Sequence, residues 1–320
     1  MSRQHELTLR FLAAPTNVGY SGNVDAGVVL EWIDKAGYAL AVGWCSGYAV
    51  TAYVGNVHFT NPVRSGDLVE VRAHMVHTGR SSMHMQVTVD TLDPRSSSRA
   101  RATSCLVIFV AVDADGTPAA VPTFQASTPD ERRAEESAIA RIALRADIET
   151  AMSAQRYSDA GTAPRTVLRF LAAPTDVNWG GKVHGGFVMR WIDEAAHVIA
   201  SQWCGSTRNV AFYTGGVRFY RPMFIGQLVE VEARLLHTGR TSMHIGVHVR
   251  AADPVDLRFQ LTTHCLVMFV RLDDVGRPVP VPSWVPASDE DRALDAHAFD
   301  LVRMRAAIED QRLIGTGEQP

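Results

Sequence analysis

The sequence has few of the features that mark metalloproteins, disulfide-rich proteins or membrane proteins. Its 320 residues include only four cysteines, which lie in apolar runs without the close spacing of metal ligands: Cys45, Cys105, Cys204 and Cys265. This placement predicts buried free thiols in a reducing compartment. No apolar stretch reaches the ~18 residues of a membrane-spanning helix, and the polar N-terminus does not resemble a signal peptide. We therefore expect a cytoplasmic protein with no membrane-inserted segment and no metal site.

The sequence also lacks an excess of charge of either sign. It has 31 Lys and Arg residues against 34 Asp and Glu residues, which gives a formal net charge of −3. No cluster of basic residues stands out, so we expect no nucleic-acid partner. The glycine-rich turns are not followed by the Gly-Lys-Ser/Thr sequence of a nucleotide-binding phosphate loop. A nucleoside triphosphate is therefore not the expected ligand.

The sequence does contain one domain twice. Residues 11–45 align with residues 170–204 without a gap, and 18 of the 35 positions are identical. Later motifs recur as well, since His77-Thr-Gly-Arg80 returns as His237-Thr-Gly-Arg240. The offset between the copies grows from 159 to 160 residues, so the second copy carries a one-residue insertion. A repeat of this length is a duplicated domain rather than a short solenoid unit.

Each copy predicts one helix followed by several strands. In the first copy an apolar stripe at 3.6-residue spacing indicates a helix with one buried face, formed by Val29, Trp32, Ile33, Ala36 and Leu40. Alternating apolar and polar residues then indicate four strands, at residues 49–59, 67–78, 82–92 and 101–112. We expect an α+β fold in which a curled antiparallel sheet wraps around one long central helix.

These patterns divide the chain into two such domains and two charged helical segments. Ser127 or Thr128, followed by Pro129, is a typical helix start. The expected segments are an N-terminal domain at residues 1–126, a linker helix at 127–162, a C-terminal domain at 163–287, and a C-terminal helix and tail at 288–320.

The candidate chemistry lies in the glycine-rich turn that opens each central helix. The turns are Gly22-Asn-Val-Asp-Ala-Gly27 and Gly181-Lys-Val-His-Gly-Gly186. Backbone N–H groups and the helix dipole at such an end favour a bound anion or a developing oxyanion. Asp34 and Asp193 follow within two turns on mostly apolar helices, where burial would raise the pKa of a carboxyl group. The residues alone leave open whether each aspartate is a poised base or nucleophile, or the carboxylate of a salt bridge.

A set of motifs spread over both halves resembles one known family. The motifs are Gly22-Asn-Val24, Val183-His-Gly-Gly186, Trp191-Ile-Asp-Glu-Ala195, Val217-Arg-Phe219 with Pro222, Gly239-Arg-Thr-Ser-Met243 and Val279-Pro-Val-Pro282. Together they resemble the double-hotdog acyl-CoA thioesterases, the family of the brain cytosolic acyl-CoA hydrolases. The resemblance implies two tandem hotdog domains that hydrolyse fatty acyl-CoA to fatty acid and CoA. It implies no cofactor other than the CoA of the substrate, and a homo-oligomer, most simply a trimer of chains.

The resemblance also implies catalytic residues drawn from both halves. An Asn in the turn of one half works with an Asp on the helix of the other, which here gives Asn23 and Asp193. Asp193 would act as general base or nucleophile, Asn23 would orient the water or the reacting group, and the amides near Gly27 would bind the oxyanion.

A second candidate site combines Asp34 with His184, Gly185 and Gly186. We expect Lys182 beside Asp34, where an ammonium would lower the pKa of the carboxyl group and make it a weaker base. The predicted working site is therefore the one with Asn23 and Asp193. The intact His-Gly-Gly turn nevertheless belongs to the Asp34 site, so activity there stays open.

For the phosphates of CoA the resemblance suggests Arg80 and Arg240, with the neighbouring Ser82 and Ser242. The alternative for these residues is an ordinary turn between strands with an exposed arginine. Two other functions also stay open. One is a non-catalytic protein that binds or senses acyl-CoA, because Lys182 in place of Asn23 and Asp25 in place of His184 show that a half-site can degenerate. The other is a hydratase of acyl thioesters, although the Asp-x-Asn-x-x-His arrangement expected of it is missing.

Overall fold

The computed structural model describes residues 4–96 and 98–316, and it contains the same helix-and-sheet unit twice. The first half comprises β1 (Glu6–Leu12), α1 (Ala26–Cys45), β2 (Tyr48–Val54), β3 (Val57–His58), β4 (Leu68–Thr78), β5 (Ser82–Leu92) and β6 (Arg99–Val112). Helix α2 (Pro129–Ser153) follows the first half. The second half comprises β7 (Arg165–Leu171), α3 (Gly185–Cys204), β8 (Asn209–Phe219), β9 (Leu228–Thr238), β10 (Ser242–Ala252) and β11 (Gln260–Arg271). Helix α4 (Asp289–Thr316) ends the described chain.

The two halves share one antiparallel sheet. Its strand order is β1-β4-β5-β6-β2-β8-β11-β10-β9-β7, and β3 pairs with β8. The halves join where β2 meets β8, through the pairs Tyr53–Arg218 and Val54–Val217. Helix α1 lies against the first half of the sheet and α3 against the second. The predicted α+β class with two tandem hotdog units is confirmed.

The predicted apolar stripe of α1 is buried. Val29, Ile33, Ala36 and Leu40 are at most 2% exposed, because a helix with apolar residues on one face packs that face against the sheet. One predicted strand, residues 49–59, is instead two short strands. The break falls at Gly55 and Asn56, because β2 pairs with β6 along its length whereas Val57 and His58 pair with β8.

Two glycines allow the central helices to approach each other closely. A Cβ atom on Gly27 would lie 2.8 Å from Cα of Arg190 in α3, and one on Gly186 would lie 2.9 Å from Cα of Glu31 in α1. Both distances are shorter than real carbon contacts, so a side chain at either position would push the helices apart. The first turn of each helix therefore rests against the middle of the other helix.

The charged helices α2 and α4 pack together on the outer face of the sheet. Ile148 and Met152 of α2 form a buried cluster with Leu294 and Leu301 of α4 and with Leu236 of the sheet. The α2 cap is Thr128, whose side chain accepts the N–H of Glu131 at 3.2 Å. Within the described residues, no helix has the length and apolarity needed to cross a membrane.

The four cysteines differ in burial. Cys105, Cys204 and Cys265 are buried, whereas Cys45 is partly exposed at the end of α1. The predicted burial is therefore confirmed for three of the four thiols.

Candidate active site

Two cavities lie where the turn of one half meets the central helix of the other. The first contains Asp34 of α1 and the turn that precedes α3; the second contains Asp193 of α3 and the turn that precedes α1. We name them the Asp34 cavity and the Asp193 cavity. Because the two halves are copies, each residue that lines one cavity has a corresponding residue in the other half.

In the Asp34 cavity the buried carboxylate has several hydrogen-bond partners. Asp34 Oδ2 accepts the N–H of Gly186 at 3.0 Å, and Oδ1 accepts the Thr51 hydroxyl at 2.7 Å. His184 Nδ1 lies 3.1 Å from Oδ2 and 3.0 Å from the Gly186 nitrogen. Burial raises the pKa of Asp34, while His184, Thr51 and Gly186 oppose the shift by stabilising the carboxylate. The carboxyl group of Asp34 is thus desolvated and is held in one orientation by its partners.

Gly185 leaves room for this arrangement. A Cβ atom on Gly185 would lie 3.0 Å from Thr51 Oγ1 and 3.1 Å from Asp34 Oδ2. These separations are tighter than ordinary carbon–oxygen contacts, so a side chain would displace one of the two partners. The glycine therefore keeps both the hydroxyl and the carboxylate next to the N-terminus of α3.

Asn178 lines the same cavity and shapes the turn. Its side-chain oxygen accepts the N–H groups of Gly180 at 2.9 Å and Lys182 at 3.0 Å. With the oxygen used in this way, the amide NH2 is the part that remains to donate. The assignment of the amide oxygen and nitrogen follows from these two backbone donors.

Lys182 does not form the expected ion pair with Asp34. Its ammonium lies over the ring of Tyr48, 5.7 Å from the ring centre, and Lys182 is not among the causes that shift the pKa of Asp34. That pKa is raised rather than lowered, so the predicted weakening of Asp34 by Lys182 is wrong. The lysine side chain reaches the Gly116 loop instead of folding back onto the helix.

In the Asp193 cavity the buried carboxyl group has one partner. Asp193 Oδ2 accepts the N–H of Gly27 at 3.1 Å, while Oδ1 is buried and has no hydrogen-bond partner among the described residues. Burial raises the pKa of Asp193 to about 7. The Gly27 N–H opposes this shift, and the negative charges of Asp25 and Glu194 add to it. Near neutral pH this carboxyl group is therefore partly protonated.

Asn23 lines the Asp193 cavity but does not bind the carboxyl group. Its backbone N–H donates to the Ser21 hydroxyl at 3.4 Å, and the described structure contains no hydrogen bond from its side chain to Asp193. The cavity is the larger of the two, about 640 Å³ against about 300 Å³. It brings Asn23, Gly27 and Asp193 to one place without coupling Asn23 to the aspartate.

The size difference follows from substitutions between the copies. Four positions that contact or surround Asp34 carry a different residue around Asp193: Asn178 corresponds to Gly19, His184 to Asp25, Gly185 to Ala26, and Thr51 to Ala211. The last correspondence is fixed by the sheet, since Thr51 pairs with Phe109 and Ala211 pairs with Phe269. At these four positions the Asp193 cavity therefore has no hydroxyl, imidazole or amide group.

Comparison with known proteins identifies the family. Residues 21–98 and residues 180–257 each match the sequence model of the thioesterase superfamily. Over 120 residues the chain is 35% identical to the acyl-CoA thioester hydrolase YciA of Salmonella typhimurium and covers 89% of that protein, although this is 36% of the present chain. The chain belongs to the thioesterase superfamily.

The similarity to other members of the thioesterase superfamily extends along the chain. The chain is 25% identical to the cytosolic acyl coenzyme A thioester hydrolase of Mus musculus over 306 residues, which is 90% of this chain and 80% of that protein. The solved structure of a putative oleoyl thioesterase from Lactobacillus plantarum has a TM-score of 0.59, covering 84% of this chain and 97% of that one. Its sequence identity of 8% makes it evidence for the fold alone. The predicted family is confirmed.

The proposed CoA-binding turns lie away from both cavities. Arg80 and Arg240 are exposed, in the turns that join β4 to β5 and β9 to β10. Ser82 lies 3.2 Å from His84 through its hydroxyl, and Ser242 occupies the same place in the second half. None of these four residues lines the Asp34 or the Asp193 cavity. Their role in binding CoA stays a prediction.

Two site residues are absent from the sequence-based set, namely Thr51 and Asn178. Asn178 could have been found from the sequence, because it lies in the aligned turn and the corresponding residue in the other copy is a glycine. Thr51 lies beyond the gap-free alignment, and its distance of 17 positions from Asp34 has no helical or strand periodicity that would pair them. Among the described residues, no group of three or more His, Cys, Asp or Glu side chains could hold a metal ion.

Proposed function

We propose that the protein hydrolyses acyl-CoA thioesters to a free acid and CoA, and that the reaction takes place in the Asp34 cavity. The observation that carries this proposal is the set of contacts around one buried carboxylate: the Thr51 hydroxyl, the Gly186 N–H and His184 all reach Asp34. Membership of the thioesterase superfamily and the names of the acyl-CoA hydrolases that the chain resembles support the same reaction.

In the proposed mechanism Asp34 acts as the general base. A raised pKa strengthens the carboxylate as a base, and the contacts with Thr51, Gly186 and His184 orient it. Asp34 takes a proton from water as the water oxygen attacks the thioester carbonyl. The resulting tetrahedral intermediate expels the CoA thiolate, which takes up a proton as the C–S bond breaks. The acid and the thiol are then both complete.

The oxyanion that forms on the carbonyl needs hydrogen-bond donors fixed in advance. The N-terminus of α3 supplies the Gly185 N–H and the positive end of the helix dipole, whereas the Gly186 N–H already donates to Asp34. The Asn178 amide NH2 is a further donor on the cavity wall. His184 Nε2 is buried and has no hydrogen-bond partner among the described residues, so it is available to orient the water or the leaving group.

The pairing of Asn23 with Asp193 is the second candidate for the catalytic site. In its favour, the pKa of Asp193 is raised to about 7, which is suited to a general base. Against it, no hydroxyl or imidazole among the described residues forms a hydrogen bond with Asp193, and Asp25 and Glu194 add negative charge around it. We therefore place the main reaction at Asp34 and treat the Asp193 cavity as the weaker candidate.

The test is release of free CoA thiol from a panel of acyl-CoAs of short, long and aromatic acyl groups. The wild-type chain should turn over at least one member, and Asp34→Asn should lower that rate by about 100-fold or more, the usual contribution of a general base. A wild-type protein that is stabilised by CoA but hydrolyses nothing would support the binding-protein alternative. Addition of water to an unsaturated acyl-CoA, without thiol release, would support the hydratase alternative.

We also propose that the chain assembles further, most simply as a trimer. Strands β1 and β7 end the shared sheet and leave edges without a strand partner in this chain. Exposed apolar side chains on these strands, Leu12 and Leu171, support an interface there. Light scattering coupled to gel filtration would give the number of chains, and a monomeric mass at micromolar concentration would contradict the proposal.

A further inference from the structure

The Asp34 cavity carries positive charge that the catalytic mechanism does not use. Lys182, one of only two lysines in the sequence, and Arg221 both line this cavity. Lys182 forms no ion pair with any carboxylate in the described part of the chain. The only side-chain partner of Arg221 there is neutral, since its guanidinium donates to the Gln260 side-chain oxygen at 2.5 Å. Two cations therefore face the cavity without an acidic partner.

The position of Lys182 is built by neighbouring residues. Its ammonium lies over the Tyr48 ring, an arrangement in which the ring attracts the cation. The ring fits against the turn only because residue 180 is glycine, since a Cβ there would lie 2.1 Å from the Tyr48 ring. Asn178 in turn accepts the Lys182 backbone N–H and fixes the turn. The ammonium is thus held at the cavity wall rather than extended into solvent.

The Asp193 cavity has none of this arrangement. The residues that correspond to Tyr48, Gly180, Lys182 and Arg221 are Arg208, Ser21, Asn23 and Asn61. Two amides replace the two cations on the cavity wall. The Asp193 cavity instead contains three carboxyl groups, those of Asp25, Asp193 and Glu194, against the single guanidinium of Arg64. Of the two cavities, the Asp34 cavity is therefore the one whose lining favours an anion.

We infer that Lys182, together with Arg221, binds an anionic group of the substrate at the Asp34 cavity and so determines which thioesters are accepted. This inference rests on the proposed hydrolysis at Asp34. Ammonium and guanidinium groups bind phosphate and carboxylate oxygens through charge-assisted hydrogen bonds. The anion is either a phosphate of CoA or a carboxylate at the far end of the acyl group, and substrates that contain only one of them distinguish the two sources.

The variant that tests this inference is Lys182→Asn. Asparagine is the residue at the corresponding position 23, where the same turn forms with an equivalent bridge, Val18–Val24 in place of Val177–Val183. The substitution should therefore remove the charge without disturbing the turn. The matched control is Lys35→Asn, which removes the other lysine; Lys35 pairs with Glu31 at 2.6 Å and does not line the cavity.

Three substrates of matched acyl length are compared: an acyl-CoA, the same acyl group on pantetheine without phosphates, and a CoA thioester of a dicarboxylic acid. If Lys182 binds a CoA phosphate, Lys182→Asn raises KM for both CoA thioesters by about tenfold and leaves acyl-pantetheine unchanged. If it binds an acyl carboxylate, only the dicarboxylic substrate loses about tenfold in kcat/KM. Equal kinetics of variant and wild type on all three, or an equal loss on all three, would overturn the inference.

A binding measurement separates this inference from the proposed reaction. Calorimetric titration of wild type, Lys182→Asn and Lys35→Asn with CoA and with a dicarboxylic acyl-CoA needs no turnover. A protein that hydrolyses no thioester but binds one of these ligands through Lys182 would refute the reaction and retain the anion site. If the protein hydrolyses acyl-CoA but Lys182→Asn binds both ligands as tightly as wild type does, the proposed reaction stands and the anion site is refuted.

Discussion

The two cavities begin from the same geometry and differ in what surrounds the aspartate. In both, a helix N-terminal N–H donates to a buried carboxyl group of the other half, from Gly186 to Asp34 and from Gly27 to Asp193. Asp34 also has a hydroxyl and an imidazole beside it, whereas Asp193 has an unpartnered oxygen and two further carboxyl groups nearby. Burial raises the pKa of both carboxyl groups, but only at Asp34 do several partners also fix the orientation of the group.

The substitutions between the cavities are coordinated rather than scattered. Thr51 and Gly185 fit together because the glycine has no Cβ atom that would clash with the Thr51 hydroxyl. Around Asp193 the same two positions are Ala211 and Ala26, so a methyl group fills part of the space that the lost hydroxyl leaves. Such paired changes are what we expect if the reaction takes place in the Asp34 cavity, as proposed, and the Asp193 cavity has no catalytic role.

The largest expected effect is a loss of turnover in Gly185→Ala. The added Cβ would lie 3.0 Å from Thr51 Oγ1 and 3.1 Å from Asp34 Oδ2, and must displace one of them. Misplacement of a catalytic group by a fraction of this distance lowers turnover steeply, so we expect a fall in kcat of about 100-fold. The measurement is steady-state thiol release on the preferred acyl-CoA.

The matched control is Ala26→Gly in the other half, which should leave kcat within about twofold because it touches only the Asp193 cavity. Adding Thr51→Ala to Gly185→Ala should recover folding stability lost by the single variant but not activity, because neighbouring residues couple. An unchanged kcat in Gly185→Ala would contradict the role assigned to the Asp34 carboxylate.

A smaller effect, on stability, is expected from Asp193→Asn. The pKa of Asp193 is raised to about 7 in the folded chain, whereas an unfolded aspartate titrates near ~3.9. Between these values the unfolded chain releases the proton first, so wild-type stability falls as pH rises from about 4 to about 7. Asparagine still accepts the Gly27 N–H and has no charge to bury, so the variant should not lose stability as the pH rises.

We therefore expect Asp193→Asn to match wild type closely at pH ~4 and to exceed it at pH ~8 by a few kcal/mol, as measured by thermal and urea unfolding at both pH values. Asp34→Asn should gain less at pH ~8, because the Asp34 carboxylate has three stabilising partners and loses them. A variant at Asp193 that is less stable than wild type at the higher pH would show that this carboxylate is needed for the fold.

The duplication explains why much of the fold could be predicted and part of the site could not. Apolar periodicity at Val29, Ile33 and Leu40, repeated turn motifs and the two-copy alignment are local features that sequence spacing records. The contact of Thr51 with Asp34 depends on how β2 curls over α1, and no periodicity encodes it. The position of the Lys182 ammonium depends on Tyr48 and Gly180, so its sequence position beside the turn suggested the wrong partner.

The most direct test of the account compares Asp34→Asn with Asp193→Asn at equal concentration, on the acyl-CoA that wild type hydrolyses fastest. Both variants keep an oxygen that can accept the helix N–H, so both should fold, and unfolding curves would verify this. We predict loss of about 100-fold or more in kcat/KM for Asp34→Asn and a change of no more than about threefold for Asp193→Asn. Loss in Asp193→Asn with survival of activity in Asp34→Asn would contradict the account and return catalysis to Asn23 and Asp193.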